Sequence, residues 1–241
     1  MIDRIINKFV IAINFKREDG KKMAEEEIQL EKLVILGTGL FAQEILDLAE
    51  DTGKYEITAF VENWDKEKAG KTLLGLPIIW IDDLKSMMST HKAVCALGTT
   101  KRNAFVEHAI KIGFEFTSII HPNARVSRKS KVEKGSIISA GVVIAAHTTI
   151  GNHVIINRGG LIGHHTKIGS YTTISPGANI AGSVTIGEGT YVGIGAVVLD
   201  HISIGAHCVV GAGALVTKDV PDRVQVVGIP ARITKDNIKG R

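Results

Sequence analysis

From Ile120 to Val216 every sixth residue is Val or Ile, through Val126, Val132, Ile138 and on to Val210. Four residues after each comes a second, mostly small residue, such as Ala124, Ser130, Ser136, Val142, Thr148 and Val154. Six helical positions do not return to one face, so the period excludes an α-helix. A meander of hairpins needs turn residues at irregular intervals. A fixed hexad instead predicts a parallel β-helix in which each short strand supplies one side of a coil. Three hexads make one triangular coil of eighteen residues. The aliphatic residue points inward and stacks on its equivalent in the next coil, roughly 4.8 Å away. The small residue fits the tight corner. The unbroken register predicts about five coils with no inserted loop.

Residues 32–120 have another rhythm. Leu33-Val34-Ile35-Leu36 reads as a buried strand, followed by Gly37-Thr38-Gly39-Leu40-Phe41-Ala42 and an amphipathic helix to about Asp51. Ile57–Asn63 and Ala93–Gly98 read as further strands, with a helix over roughly Lys101–Ile112. Alternating strands and helices predict a small parallel sheet covered on its faces. Gly-x-Gly-x-x-Ala at a strand–helix junction has two uses. It lets backbone amides approach a phosphate at the helix N-terminus, or it lets a helix pack closely on a strand. Glu62 closes the second strand, where an acid can accept ribose hydroxyls. Fewer than about ninety residues make half a dinucleotide fold, so a mononucleotide or nucleotide-sugar fits better than NAD.

Composition narrows the classes. Hydrophobic residues are 44% and aromatic residues 5%, as expected of a core of stacked Val and Ile. The net charge of +4 is dispersed, which disfavours nucleic acid and suits a small anionic ligand. Cys95 and Cys208 read as buried thiols, in keeping with a reducing cytoplasm. No stretch is long enough to span a membrane. Ile5–Ile13 is apolar but short and lacks a cleavage site, and Met23 is an alternative start.

Chemistry on the coil concentrates at Asn157–Gly169. Adding eighteen places His164 beside Gly182 and then Asp200, and His147 beside His165. A histidine next to a glycine ledge suits a general base with an exposed backbone N–H for an oxyanion. It equally suits a solvated turn. Stacked His147 and His165 also raise zinc ligation, but no close His-x-x-x-x-His pair accompanies them.

Residues 32–232 resemble the sialic acid O-acetyltransferase-like family of bacterial sugar acyltransferases. The resemblance rests on Ile162–Gly169, on Ser175-Pro176-Gly177-Ala178-Asn179-Ile180-Ala181-Gly182, and on the ending Val227-Gly228-Ile229-Pro230-Ala231-Arg232. It implies a small Rossmann-like α/β domain followed by a left-handed β-helix. The division expected is a charged extension over 1–31, a nucleotide-sugar-binding domain over 32–120, the acyltransferase coil over 121–232 and a tail over 233–241. The resemblance further implies a cytoplasmic homotrimer with acetyl-CoA in the groove between neighbours, and no metal. Acetyl would pass to the amino group of a nucleotide-linked amino sugar; a sugar hydroxyl, as on sialic acid, and a non-catalytic sugar-nucleotide scaffold are the alternatives.

The same resemblance gives His164 as catalytic base, with His165 beside it. Gly182, Ile194, Ala212 and Thr173 fall on coenzyme positions. Gly39, Leu40, Phe41, Glu62, Asn63 and Gly98 fall on positions that hold the nucleotide part of the substrate. Three positions depart from the family's pattern. His165 stands where many relatives carry Asp or Glu, Thr173 where they commonly carry a histidine, and Leu40-Phe41 where they carry Gly-His.

Overall fold

The computed structural model describes residues 30–241; Met23 and the run Ile5–Ile13 lie outside the described residues. Glu31–Arg241 forms one compact unit. It opens with β1 (Glu31–Leu36), α1 (Leu40–Asp51) and β2 (Tyr55–Glu62). A hairpin of β3 (Thr72–Leu73) and β4 (Leu76–Trp80) follows, then β5 (His91–Cys95), α2 (Asn103–Ile112) and β6 (Glu115–Phe116). The sheet order is β3-β4-β2-β1-β5-β6, parallel except at the β3–β4 hairpin. This is the expected covered parallel sheet. The hairpin was not expected, because Leu74 takes positive φ beside Gly75, and leucine gives no signal for such a turn. Ala42, Ile45, Leu48 and Ala49 of α1 pack on one side of the sheet with Leu33 and Ile35. Phe105, Val106 and Ala109 of α2 pack on the other with Val34 and Leu36.

From Ile119 the chain winds into a left-handed triangular prism with three parallel sheets. The first face begins at Ile119–Ile120 and continues through Ile137–Ile138, Ile155–Ile156, Thr173–Ile174, Tyr191–Val192, Val209–Val210 and Gln225–Val227. The second runs from Arg125–Val126 to Leu215–Val216, the third from Lys131–Val132 to Ser203–Ile204. Register is eighteen residues from Ile119 to Val216, as in Ile137 opposite Ile155 and Ile138 opposite Ile156, and shortens at the final step, where Val209 lies opposite Gln225. The inward aliphatics form one continuous core with the small corner residues. Fully burying each such side chain contributes about 1.5–3 kcal/mol.

The polar members of the small-residue series sit in that core without penalty. The hydroxyl of Thr148 donates to Gly163 O at 2.9 Å and that of Thr190 to Gly205 O at 2.8 Å. Ser130, Ser136 and Thr190 also accept the backbone N–H eighteen residues on, at 3.0–3.1 Å. Each of these corner hydroxyls therefore has its own hydrogen-bond partner on a neighbouring coil. Glycine after the aliphatic is steric in origin. A Cβ on Gly163 would lie 2.4–2.5 Å from the backbone of Ala181 and Gly182.

Outward residues separate the faces. On the first, Ile119, Ile137 and Ile155 join the α1 side of the α/β core. On the third, Lys131, Thr149, Lys167, Thr185 and Ser203 are exposed and polar. On the second, Val143, Leu161 and Val197 are apolar and exposed, at 38%, 42% and 36%.

Candidate active site

The C-terminal ends of β1 and β5 form a crevice where the sheet order changes direction, the place where open α/β sheets take ligands. Gly37 has φ +123°, and a Cβ there would come within 3.3 Å of Ala96 O. Glycine therefore lets the two strand ends approach. Gly39 caps α1 with no side-chain hydrogen bond to its first turn, which leaves amides turned toward the crevice. Leu40 beside it is 84% exposed. The ring of Phe41 reaches the Cα side of Gly98 across the crevice.

Glu62 is buried in this crevice and fully engaged. Thr38 Oγ1 donates to Oε2 at 2.5 Å and Lys68 Nζ at 3.3 Å. Oε1 accepts the amides of Asn63 and Trp64 at 2.9 Å and that of Asp65 at 3.4 Å. Burial alone would push its pKa up, but the Thr38 hydroxyl and the three amides outweigh it and bring it down to about 2. The carboxylate ties the Gly37–Gly39 turn to the Asn63–Asp65 turn and has little capacity left for a ligand hydroxyl.

His164 and His165 lie on the prism edge between the second and third faces, both exposed. His164 Nδ1 is 3.0 Å from His165 Nδ1, and the His165 ring lies 4.8 Å from that of His147. His165 takes positive φ, as do His147, Ser183 and His201 along the same edge. The His164 ring lies on Gly182, where an added Cβ would sit 2.7 Å from Cε1 and 2.8 Å from Nε2. The edge therefore needs glycine at 182. The Gly182 carbonyl accepts from His201 N at 3.1 Å, while its N–H finds no acceptor among the described residues.

Ile194 and Ala212 lie together on a different edge, between the first and second faces. Gly213 N donates to Ile194 O at 2.8 Å. Both line a cleft of about 430 Å³ with Tyr191, Lys235, Ile238 and Arg241. Within one chain, then, the sequence-predicted residues form three groups: the α/β crevice, the His164–His165–Gly182 edge and the Ile194–Ala212 edge.

Thr173 joins none of the exposed groups. It is buried, donates to Gly98 O at 3.2 Å and accepts from Arg102 Nη1 at 2.8 Å. Arg102 belongs to none of the motifs in the sequence. Its guanidinium is buried and donates also to His153 O, Thr172 O and Thr99 O at 2.7–3.0 Å. It pins the start of α2 and the Gly98 loop to the prism. No local pattern marks such a residue, because its partners on the prism lie 51 to 71 positions away. Among the described residues, no three His, Cys, Asp or Glu side chains converge as metal ligands, and no helix is long and apolar enough to cross a membrane.

Two family models match the chain: the PglD N-terminal domain over residues 32–108 and the bacterial transferase hexapeptide over residues 183–218. Among solved structures it is similar to a mutant of the perosamine N-acetyltransferase of Caulobacter crescentus, in complex with CoA and GDP-perosamine. The two are 31% identical, with 87% of this chain and all of that one covered at a TM-score of 0.79. It is similar as well to the acetyltransferase domain of PglB from Neisseria gonorrhoeae in complex with acetyl coenzyme A. There identity is 30%, over 86% of this chain and all of that one, with a TM-score of 0.78. WeeI from Acinetobacter baumannii is 28% identical over 84% of this chain and 99% of its own, with a TM-score of 0.76. A search of curated protein sequences finds no match.

Proposed function

Because the chain belongs to the sialic acid O-acetyltransferase-like family of bacterial sugar acyltransferases, we propose that it moves the acetyl group of acetyl-CoA to the amino group of a nucleotide-linked amino sugar. The observation that carries this reading is the seating of His164 on Gly182 with Nδ1 engaged by His165. A hydrogen bond between two Nδ1 atoms needs one donor and one acceptor. When His164 donates, its Nε2 keeps a lone pair and is the base. The sugar nitrogen bonds to the acetyl carbon, its proton passes to His164 Nε2, and the carbon–sulfur bond breaks. His164 then returns the proton to the departing sulfur. The Gly182 N–H, without an acceptor among the described residues, would stabilise charge on the carbonyl oxygen. His165 is a positioning residue: it fixes the His164 tautomer, with less charge stabilisation than a carboxylate gives.

The cleft beside Ile194 and Ala212 fits the coenzyme in chemistry. Its walls are apolar, and Lys235 and Arg241 stand at its margin without an ion-pair partner among the described residues. The coenzyme supplies an activated acetyl thioester. The catalytic edge and the coenzyme edge are separated by the second face, and that face is the apolar exposed one. This supports a homotrimer in which the second face is covered and one subunit's His164 edge meets its neighbour's Ile194–Ala212 edge. In the α/β crevice, Gly39, Leu40, Phe41, Asn63 and Gly98 surround the nucleotide, while Glu62 organises the loops that do so.

The test is to incubate the protein with acetyl-CoA and a panel of nucleotide-linked amino sugars, GDP-linked ones first, plus free sialic acid, and to identify products by mass spectrometry. An N-acetylated sugar nucleotide is expected. Acetylation of sialic acid alone, or no acetylation across the panel, overturns the reading.

A further inference from the structure

The residues after the last coil are bound in place. Arg232–Lys235 pairs antiparallel with Gln225–Val227 on the first face. Ile238 N then donates to Arg223 O at 2.9 Å and Gly240 N to His207 O at 3.0 Å. The segment next crosses to the start of α2. Thr100 N and Thr100 Oγ1 both donate to Arg241 O at 2.9 Å, and Arg241 N donates to Thr100 Oγ1 at 3.0 Å. Gly240 has φ +69°, and a Cβ there would fall 2.5 Å from Thr100 Oγ1 and 2.8 Å from Gly189 O. Only glycine permits this crossing. Residues 236–241 thus form a strap from the far end of the prism back to the α/β part.

The strap is one wall of the cleft whose other wall carries Tyr191, Ile194 and Ala212. It holds the Arg241 guanidinium 4.4 Å from the centre of the Tyr191 ring, a cation–π contact that fixes the charge in position. The guanidinium has no carboxylate partner among the described residues. An oriented, uncompensated guanidinium at the mouth of an apolar cleft is matched to a phosphate group at the end of an apolar chain.

Resting on the acyl-CoA reading above, we propose that Arg241, held by the strap and by Tyr191, binds the phosphate-bearing part of the coenzyme and so sets the affinity for it. The strap makes this a built site, since the backbone of the arginine is anchored at both its N–H and its carbonyl oxygen.

The experiment is isothermal titration of CoA into the full chain and into Arg241→Gln and Arg241→Lys, each at low and high salt. The wild type binds, Arg241→Gln binds about tenfold more weakly with a shallower salt dependence, and Arg241→Lys stays within about threefold of wild type. Equal weakening by Gln and Lys assigns the effect to packing and overturns the proposal. So does wild-type affinity in Arg241→Gln. Absence of CoA binding in the wild type overturns the acyl-CoA reading itself, a result distinct from either of these.

Discussion

The second and third faces of the prism share one hexad, one inward aliphatic ladder and one strand length, yet their outward ladders have opposite chemistry. The second presents Val143, Leu161 and Val197, with Arg125 and Asn179 between and beyond them. The third presents Lys131, Thr149, Lys167, Thr185 and Ser203. The fold needs neither set, because stability comes from the inward ladder and the corner hydroxyls. The difference therefore reports use. A solvated face costs nothing when polar, whereas a mostly apolar exposed one is the kind of surface that assembly covers. His164 stands on the edge that joins the two, so in the proposed trimer chemistry and assembly would meet at one line of the prism.

The largest effect expected breaks the comparison directly. A paired Leu161→Asp and Val197→Asp change would place charges in the face proposed as the interface and abolish the proposed trimer, read by light scattering, with activity lost along with it. The matching Thr149→Asp and Thr185→Asp pair on the third face would leave assembly intact. Equal behaviour of the two pairs would remove the second face from the interface. His164→Ala separates chemistry from assembly on the shared edge. Turnover should fall by about a hundredfold or more, with the oligomer and the melting temperature unchanged. Wild-type turnover in that variant would exclude His164 as the base.

The first face sharpens the comparison from the other side. Its outward ladder of Ile119, Ile137 and Ile155 is as apolar as that of the second, but α1 and β1 already cover it. Ile137→Ala should cost about 2–5 kcal/mol of stability, measured by denaturant unfolding, and leave the oligomeric state alone. Leu161→Ala, on a face that only the proposed trimer would cover, should cost a dissociated chain about 0.5 kcal/mol or less. Similar costs in the dissociated state would mean that the second face is covered from within.

How far the sequence revealed this follows from the range of each interaction. The coil was legible because one physical requirement, an aliphatic side chain filling the prism, recurs every six residues from Ile120 to Val216. The α/β strands were legible as short apolar runs, and the Gly37–Gly39 turn as a strand–helix junction. The β3–β4 hairpin was not, since its turn places Leu74 at positive φ. Long-range polar contacts were invisible. Arg102 gathers acceptors from His153, Thr172 and Thr173, and Arg241 returns to Thr100, 141 positions earlier. Glu62 was legible as a crevice residue, but its saturation by Thr38 and three amides depends on two loops meeting.

The edge between the third and first faces contrasts with the exposed histidines of the His164 edge. His153 there is buried, stacked 5.2 Å from Tyr171 and edge-on to Phe116, with Nδ1 lacking any hydrogen-bond partner. Burial, reinforced by the adjacent Arg102 guanidinium, depresses its pKa from 6.5 to about 4. The folded state therefore holds this histidine neutral, while the unfolded chain takes up a proton below pH 6.5. Its contribution to stability is complete above pH 6.5 and is lost as pH falls from there toward 4. Between pH 7.5 and 5 the wild type should lose about 1–2 kcal/mol on this account. His153→Phe keeps the aromatic stack and removes the proton, so its melting temperature should fall less over the same interval. Parallel slopes for the two proteins would show that this edge's acid response originates in another group.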